Sequence, residues 1–124
     1  MSYCHCHYCR KWHSAPVNAW ALWPNDKVRM QGQVTEFRDL TQGVRISCAQ
    51  CGAGVANRKP EANMIVVYPM TLVESGLKFE PTSHIYYSKR VLDLSDGLPK
   101  YVDMPVEWGG SGETMDEPPL TRWI

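Results

Sequence analysis

Three thiols and two imidazoles fall within six residues near the start of the chain, Cys4-His5-Cys6-His7-Tyr8-Cys9, and two further thiols stand at Cys48 and Cys51. Core packing does not need such a density of ligating atoms, whereas a metal ion does. Zinc takes thiolate and imidazole ligands in tetrahedral geometry, and a two-residue gap between cysteines lets the backbone turn so that both sulfurs face one ion. Cys6-x-x-Cys9 and Cys48-x-x-Cys51 both carry that gap, and Gly52 can take the backbone angles on which such a knuckle often ends. Two arrangements follow. The two pairs could build a four-thiolate structural site, although residues 10–47 between them exceed the usual ribbon spacing and Cys4, His5 and His7 would be left without a role. Alternatively Cys4, Cys6 and Cys9 form a three-thiolate site whose fourth position is open to water or substrate, as a catalytic zinc requires.

The neighbours of the cluster add charge and orientation. A thiolate-bound zinc is net anionic, so Arg10 and Lys11, directly after Cys9, either steady it or begin a solvated helix. His5 and His7 alternate with the cysteines and point away from a metal face if the segment is extended, so neither is expected to be a ligand. His13 and His84 read as polar residues satisfied by the backbone.

These groups must be held by a scaffold, and 124 residues suffice for one domain, residues 1–124, with 106–124 read as an irregular Gly-, Pro- and acid-rich tail. Nine glycines and nine prolines leave few windows for long helices and favour short strands joined by turns. Residues 17–23, an aromatic run between prolines, read as a strand, and 28–30, 34–40 and 44–48 as strands of an antiparallel meander. Residues 64–68 (MIVVY) form the most apolar run and the best central strand, ending at Pro69. Residues 71–75 suit one helical turn and 84–87 (HIYY) a strand, while periodicity leaves 89–94 open between a short helix and an extended segment.

Composition narrows the function classes. Thirteen basic residues balance thirteen acidic ones and no basic run is long, which disfavours nucleic acid and anionic membrane surfaces as partners. No apolar stretch approaches the roughly 20 residues that span a bilayer. The first residues lack a secretory or organelle-targeting pattern, so a soluble, cytoplasmic chain is expected, where a reducing environment makes clustered thiols metal ligands before disulfides.

The stretches CHCHYCRKWHSAP, CAQCG, FEPTSHIYYSKR and LPKYVDMP, in this order and spacing, resemble the glutathione-dependent formaldehyde-activating enzyme family, which includes the centromere protein V relatives. The resemblance runs from about Cys4 to about Pro105 and is most specific in C-H-C-x-x-C-R-K with the later C-x-x-C-G. It implies a mainly β fold of twisted antiparallel sheets around zinc, like that of zinc-bearing methionine sulfoxide reductase B domains. It implies a catalytic zinc on Cys4, Cys6 and Cys9, and a structural zinc to which Cys48 and Cys51 contribute together with a C-x-C on an earlier strand. Only three residues precede Cys4, and that C-x-C is not among them. Either the natural chain starts earlier, or Cys48 and Cys51 merge with the first cluster in one site, or a second copy in a homodimer supplies the missing strand or ligands. A second departure is His13-Ser14, where the family usually has Gly-Ser.

The function implied by the resemblance is a zinc-dependent carbon–sulfur lyase resembling S-(hydroxymethyl)glutathione synthase, acting on an adduct of an aldehyde with a small thiol such as glutathione. Tyr8, Arg10 and His84 are then candidates for substrate contact. The alternative is a non-catalytic, zinc-stabilised interaction module that would use an aromatic surface drawn from Trp12, Trp20, Trp23, Trp108 and Trp123.

Overall fold

In a computed structural model, which describes residues 1–39 and 41–124, the chain is mainly β with one short helix. The strands are β1 (Ser2–Cys4), β2 (Asn18–Pro24), β3 (Val34–Asp39), β4 (Gly43–Cys48), β5 (Gly54–Lys59), β6 (Met64–Val67), β7 (His84–Ile85), β8 (Leu92–Asp93), β9 (Lys100–Tyr101), β10 (Thr114–Met115) and β11 (Arg122–Trp123), and the helix α1 is His7–His13. Single 3-10 turns cover much of the rest. No helix among the described residues is long and apolar enough to cross a membrane. The chain divides into two units, one of residues 20–79 and one of residues 1–19 with 80–124.

The unit of residues 20–79 is an antiparallel sheet in the order β2-β6-β5-β4-β3. The MIVVY run supplies β6, an interior strand that stops before Pro69, where the ladder would lose a donor. Val44, Ile46, Ala56 and Ile65 form the apolar core, with Trp23, Val28, Met30 and Val55 packed against it. Ile46 is completely buried. Ile46→Ala is therefore expected to cost about 2–5 kcal/mol, read as a lowered urea midpoint.

The hairpin between β3 and β4 turns at Gly43, whose φ is +91°. A Cβ there would meet the Arg58 carbonyl at 2.5 Å and Asn57 Oδ1 at 2.8 Å, so only glycine fits both the angle and the space. β3 is the edge, exposed nearly throughout, and carries Glu36 and Arg38 as charges that discourage edge-to-edge pairing. Leu40, which the 34–40 expectation included, lies outside the described residues.

Two expectations for this unit need correction. Residues 28–30 form no strand; Val28 and Met30 deliver side chains to the core instead of joining a ladder. Conversely β5 carried too little apolar alternation to be recognised, because its strand character comes from pairing with β4 on one side and β6 on the other. Residues 71–75 do form a helical turn at their end, Val73–Ser75, preceded by another at Pro69–Thr71.

The other unit holds a mixed sheet ordered β10-β9-β7-β1 and a two-stranded antiparallel β11-β8 pair. β1 runs parallel to β7, with Tyr3 opposite His84 and Cys4 opposite Ile85, and β7 runs parallel to β9. The antiparallel expectation thus describes the unit of residues 20–79, while parallel pairing enters here through β7. Residues from the 106–124 segment take part, Thr114–Met115 pairing with β9 and Arg122–Trp123 with β8. The interior is largely polar: Ser2, His5, Ser83, His84, Asp93 and Lys100 are buried beside Ile85 and Tyr87. The HIYY strand is shorter than expected. It ends at Ile85 because Tyr86 takes a left-handed conformation (φ 52°, ψ 36°) and a 3-10 turn follows over Tyr87–Lys89. The 89–94 segment, left open by periodicity, contains the two-residue strand β8.

Candidate metal centre

The Cys4 side chain comes from the end of β1 and is buried. Cys6 caps α1: its backbone is extended (φ −64°, ψ 150°) and its sulfur accepts the Cys9 N–H at 3.4 Å. Sulfur at this position replaces the oxygen of a Ser or Asp cap and satisfies one of the donors that a helix start leaves unpaired. A spacing of three along the first turn then brings Cys9 to the same side as Cys6. The helix ends at Ser14, held left-handed (φ 49°) with Ala15 N–H bonded to the Arg10 carbonyl. Tight winding between β1 and this cap is what collects the donors, since the ligating sulfurs of Cys4, Cys6 and Cys9 all lie within 4.8 Å of one another.

Before any cation arrives, the three thiols share protons unequally. The Cys4 and Cys9 thiols donate to the Cys6 sulfur, with help from the Cys9 and Tyr8 backbone N–H groups, and hold Cys6 far below the ordinary thiol range. Cys4 is pushed well up, first by its hydrogen bonds with Cys6 and Cys9 and then by burial. One anion wrapped by two thiols is a donor set that a thiophilic cation completes by displacing the two protons. Three thiolates suit zinc, copper(I) or an iron–sulfur centre over magnesium or calcium, so the residues present fit a soft metal ion.

The imidazoles go elsewhere. His5 is fully buried and its Nε2 lies 2.9 Å from His84 Nδ1, while His84 Nε2 lies 2.8 Å from Asp96 Oδ2. The carboxylate can only accept, so His84 carries its proton on Nε2, which makes Nδ1 the acceptor and His5 Nε2 the donor. Burial lowers both: His5 falls to about 3, helped next by His84 and by the positive Arg90, Lys100 and Arg10, and His84 falls despite the Asp96 bond. Both rings are therefore neutral at pH 7. His84 is satisfied as expected, but by side chains more than by the backbone. Asp96 also binds Lys100, whose buried ammonium reaches Asp96 Oδ1 at 2.9 Å, the Leu98 carbonyl at 2.9 Å and Glu117 Oε2 at 2.6 Å. His7 is exposed and packs on the Tyr8 ring, and Arg10 Nε donates to the His5 carbonyl, tying the helix back to the strand end.

Tyr86 was not singled out by the sequence. An alternating strand reading of HIYY hides it, and only its left-handed backbone next to β1 reveals it. Its hydroxyl is pushed up, first by burial and then by Cys4, Cys6, Asp103 and Cys9.

Cys48 and Cys51 belong to the unit of residues 20–79, at the turn from β4 to β5. Gly52, at φ +77°, donates its N–H to the Cys48 carbonyl at 2.8 Å, and Cys48 N–H bonds the Ala53 carbonyl at 2.8 Å. The Cys51 and Gln50 N–H groups and the Cys51 thiol converge on the Cys48 sulfur and lower its proton affinity. The knuckle thus presents two thiols, one of them exposed.

The comparison with curated proteins gives no match. The family model for the glutathione-dependent formaldehyde-activating enzyme matches residues 1–89, a span that includes the three-cysteine cluster, the Cys48/Cys51 knuckle, His84 and Tyr86. With that match over most of its length, the chain belongs to the glutathione-dependent formaldehyde-activating enzyme family.

Proposed function

We propose that this protein is a zinc-dependent carbon–sulfur lyase of the S-(hydroxymethyl)glutathione synthase type, joining the thiol of glutathione to formaldehyde and releasing it again. The observation that carries the reading is the gathering of Cys4, Cys6 and Cys9 into one three-sulfur donor set, together with membership of a family named for this chemistry. Three protein donors leave a tetrahedral ion one position for a ligand. Zinc held by these cysteines supplies a Lewis acid that favours a thiolate or polarises a carbonyl oxygen.

In the forward direction the sulfur of glutathione forms a bond to the formaldehyde carbon, the C=O π pair moves to oxygen, and that oxygen takes a proton while the thiol loses one. In reverse the C–S bond breaks and the same oxygen gives its proton up. What the chain contributes is a partly buried, preorganised cluster, a proton-sharing environment around Cys6, and positive charge on Arg10 and Lys11 in the turn after Cys9 for a ligand that carries two carboxylates. Cys48 and Cys51 are proposed as further metal ligands, with the donors that complete their site coming from outside the knuckle.

The test is the exchange rate between free and glutathione-bound formaldehyde, measured by magnetisation-transfer NMR on protein fully loaded with zinc. Acceleration well above the spontaneous rate is expected, and it should survive in a Cys48→Ser, Cys51→Ser double variant that keeps the ion on the first cluster. A rate indistinguishable from buffer sinks the enzyme reading. Loss of all zinc from the double variant would favour one shared structural ion and a non-catalytic module.

A further inference from the structure

His5 stands between two of the gathered cysteines and is held at every polar point but one. Its N–H bonds the Ile85 carbonyl at 3.1 Å and its carbonyl accepts Arg10 Nε at 3.2 Å. The ring is fully buried and packs edge-on against Tyr87, with centroids 4.9 Å apart. Its Nε2 donates to His84 Nδ1 at 2.9 Å, which is the ring's single hydrogen bond among the described residues, since Nδ1 has none. This one residue is the whole link between Cys4, at the end of β1, and Cys6, at the cap of α1. Where its ring settles therefore bears on how the first two sulfurs are spaced.

Asp96 decides which nitrogen of each ring carries the proton. Two donors converge on its Oδ1, the Lys100 ammonium at 2.9 Å and the Leu98 N–H at 3.2 Å, while Oδ2 faces His84 Nε2 at 2.8 Å. A carboxylate accepts on both oxygens, so all three donors are satisfied, His84 Nδ1 is left as an acceptor, and His5 Nε2 supplies its proton. In the reverse order His5 would carry its proton on Nδ1, which is buried and has nothing to receive it. An orphaned N–H in the interior is rarer than an orphaned acceptor, and the ring would have to move to relieve it. The two orders differ in where protons sit on neutral rings and not in charge.

We propose that Asp96 and His84 are positioning residues for the metal ligands: by fixing the proton of the His5 ring, they hold the link from Cys4 to Cys6 in the form that lets one ion take all three sulfurs. This rests on the reading of Cys4, Cys6 and Cys9 as a metal site. Groups that orient a ligand from behind are commonly worth about 10–100-fold in affinity. Here the carboxylate acts through two rings and the backbone between two ligands.

Asp96→Asn separates orientation from bulk. With an ammonium and an N–H on the Oδ1 side, the amide keeps its carbonyl there and turns its NH2 toward His84, which reverses the proton order along both rings. An Asp-to-Asn exchange can impose the wrong histidine tautomer while the geometry stays intact. The experiment uses the full chain with Cys48→Ser and Cys51→Ser, so that the zinc counted is that of the first cluster. Imidazole nitrogen NMR reads the tautomers, and a chromogenic chelator reads zinc release. Both rings are expected to carry the proton on Nε2 in this background and on Nδ1 once Asp96→Asn is added, with zinc released faster by about tenfold or more. Adding Lys100→Met as well withdraws the stronger donor, lets the amide turn its carbonyl to His84, and should restore the Nε2 tautomers and slow the release. A merely structural role gives no such rescue, because the further change removes contacts. His84→Phe keeps a ring beside Tyr3 but gives His5 no acceptor, and it should speed release likewise, which decides the matter if Asp96→Asn does not fold. Unchanged tautomers in Asp96→Asn, reversed tautomers with release at the background rate, fast release that Lys100→Met does not slow, or background release in His84→Phe each overturn the positioning role and leave the metal site standing. A background protein that retains no zinc overturns the three-cysteine site, and the positioning role falls with it.

Discussion

Cys6→Ser is expected to leave the first cluster unable to retain zinc through dialysis against a mild chelator, and to lower the adduct exchange rate by more than about 100-fold, beyond the 10–100-fold typical of losing an outer-shell partner. The reason lies in the position of this sulfur. Cys6 caps α1, accepts the Cys9 N–H and receives hydrogen bonds from Cys4 and Cys9, so it is the anion around which the cluster is arranged. Serine keeps the cap, because its oxygen accepts the same N–H as well as sulfur does. Loss of metal without loss of the helix is therefore the expected signature, checked by the zinc-to-protein ratio alongside far-ultraviolet circular dichroism. Zinc retained at the wild-type ratio would show that Cys4 and Cys9 bind it with other partners.

Asp96→Ala is expected to destabilise the protein by about 3 kcal/mol, because one carboxylate serves two buried groups. Its Oδ2 holds the His84 proton and its Oδ1 bonds the ammonium of Lys100, a side chain only 1% exposed. Removing it leaves a buried cation with reduced compensation and frees His84 to change tautomer, which in turn unsettles the His5 bond. Glu117 partly steadies Lys100, but its own side chain is 41% exposed and better solvated, so Glu117→Ala should cost less. The decisive comparison is the Asp96→Ala, Lys100→Met double variant. Taking away the stranded charge should return part of the lost stability, since a buried ion pair replaced by apolar groups is often close to neutral. Urea midpoints give the order wild type, then double variant, then Asp96→Ala; a double variant less stable than Asp96→Ala would show that Lys100 contributes mainly through packing.

Much of this could be read from local chain chemistry. Three cysteines within six residues can reach one another whatever surrounds them, because the loop they close is short, so the donor set was visible as a motif. Short strands separated by glycine and proline were equally visible at β2, β3, β4 and β6, where apolar content and turn residues agree.

Groups far apart in sequence were a different matter. His5 meets His84 across 79 positions because β1 lies beside β7, and Lys100 meets Glu117 across 17 because β10, just before Glu117, pairs with β9. Nothing in either neighbourhood marks those residues as a chain of hydrogen bonds. β5 was hidden for the same reason, its strand character coming from β4 and β6. Tyr86 is the sharpest case. Propensity favours an extended tyrosine, and the left-handed backbone it takes instead is held by the Asp103 carbonyl and by the pairing of Ile85 with Cys4. Local spacing thus settled which atoms can bind a metal, and strand pairing settled which atoms stand around them, because a ligand motif closes over a few residues while its surroundings depend on contacts that only the folded sheet brings together.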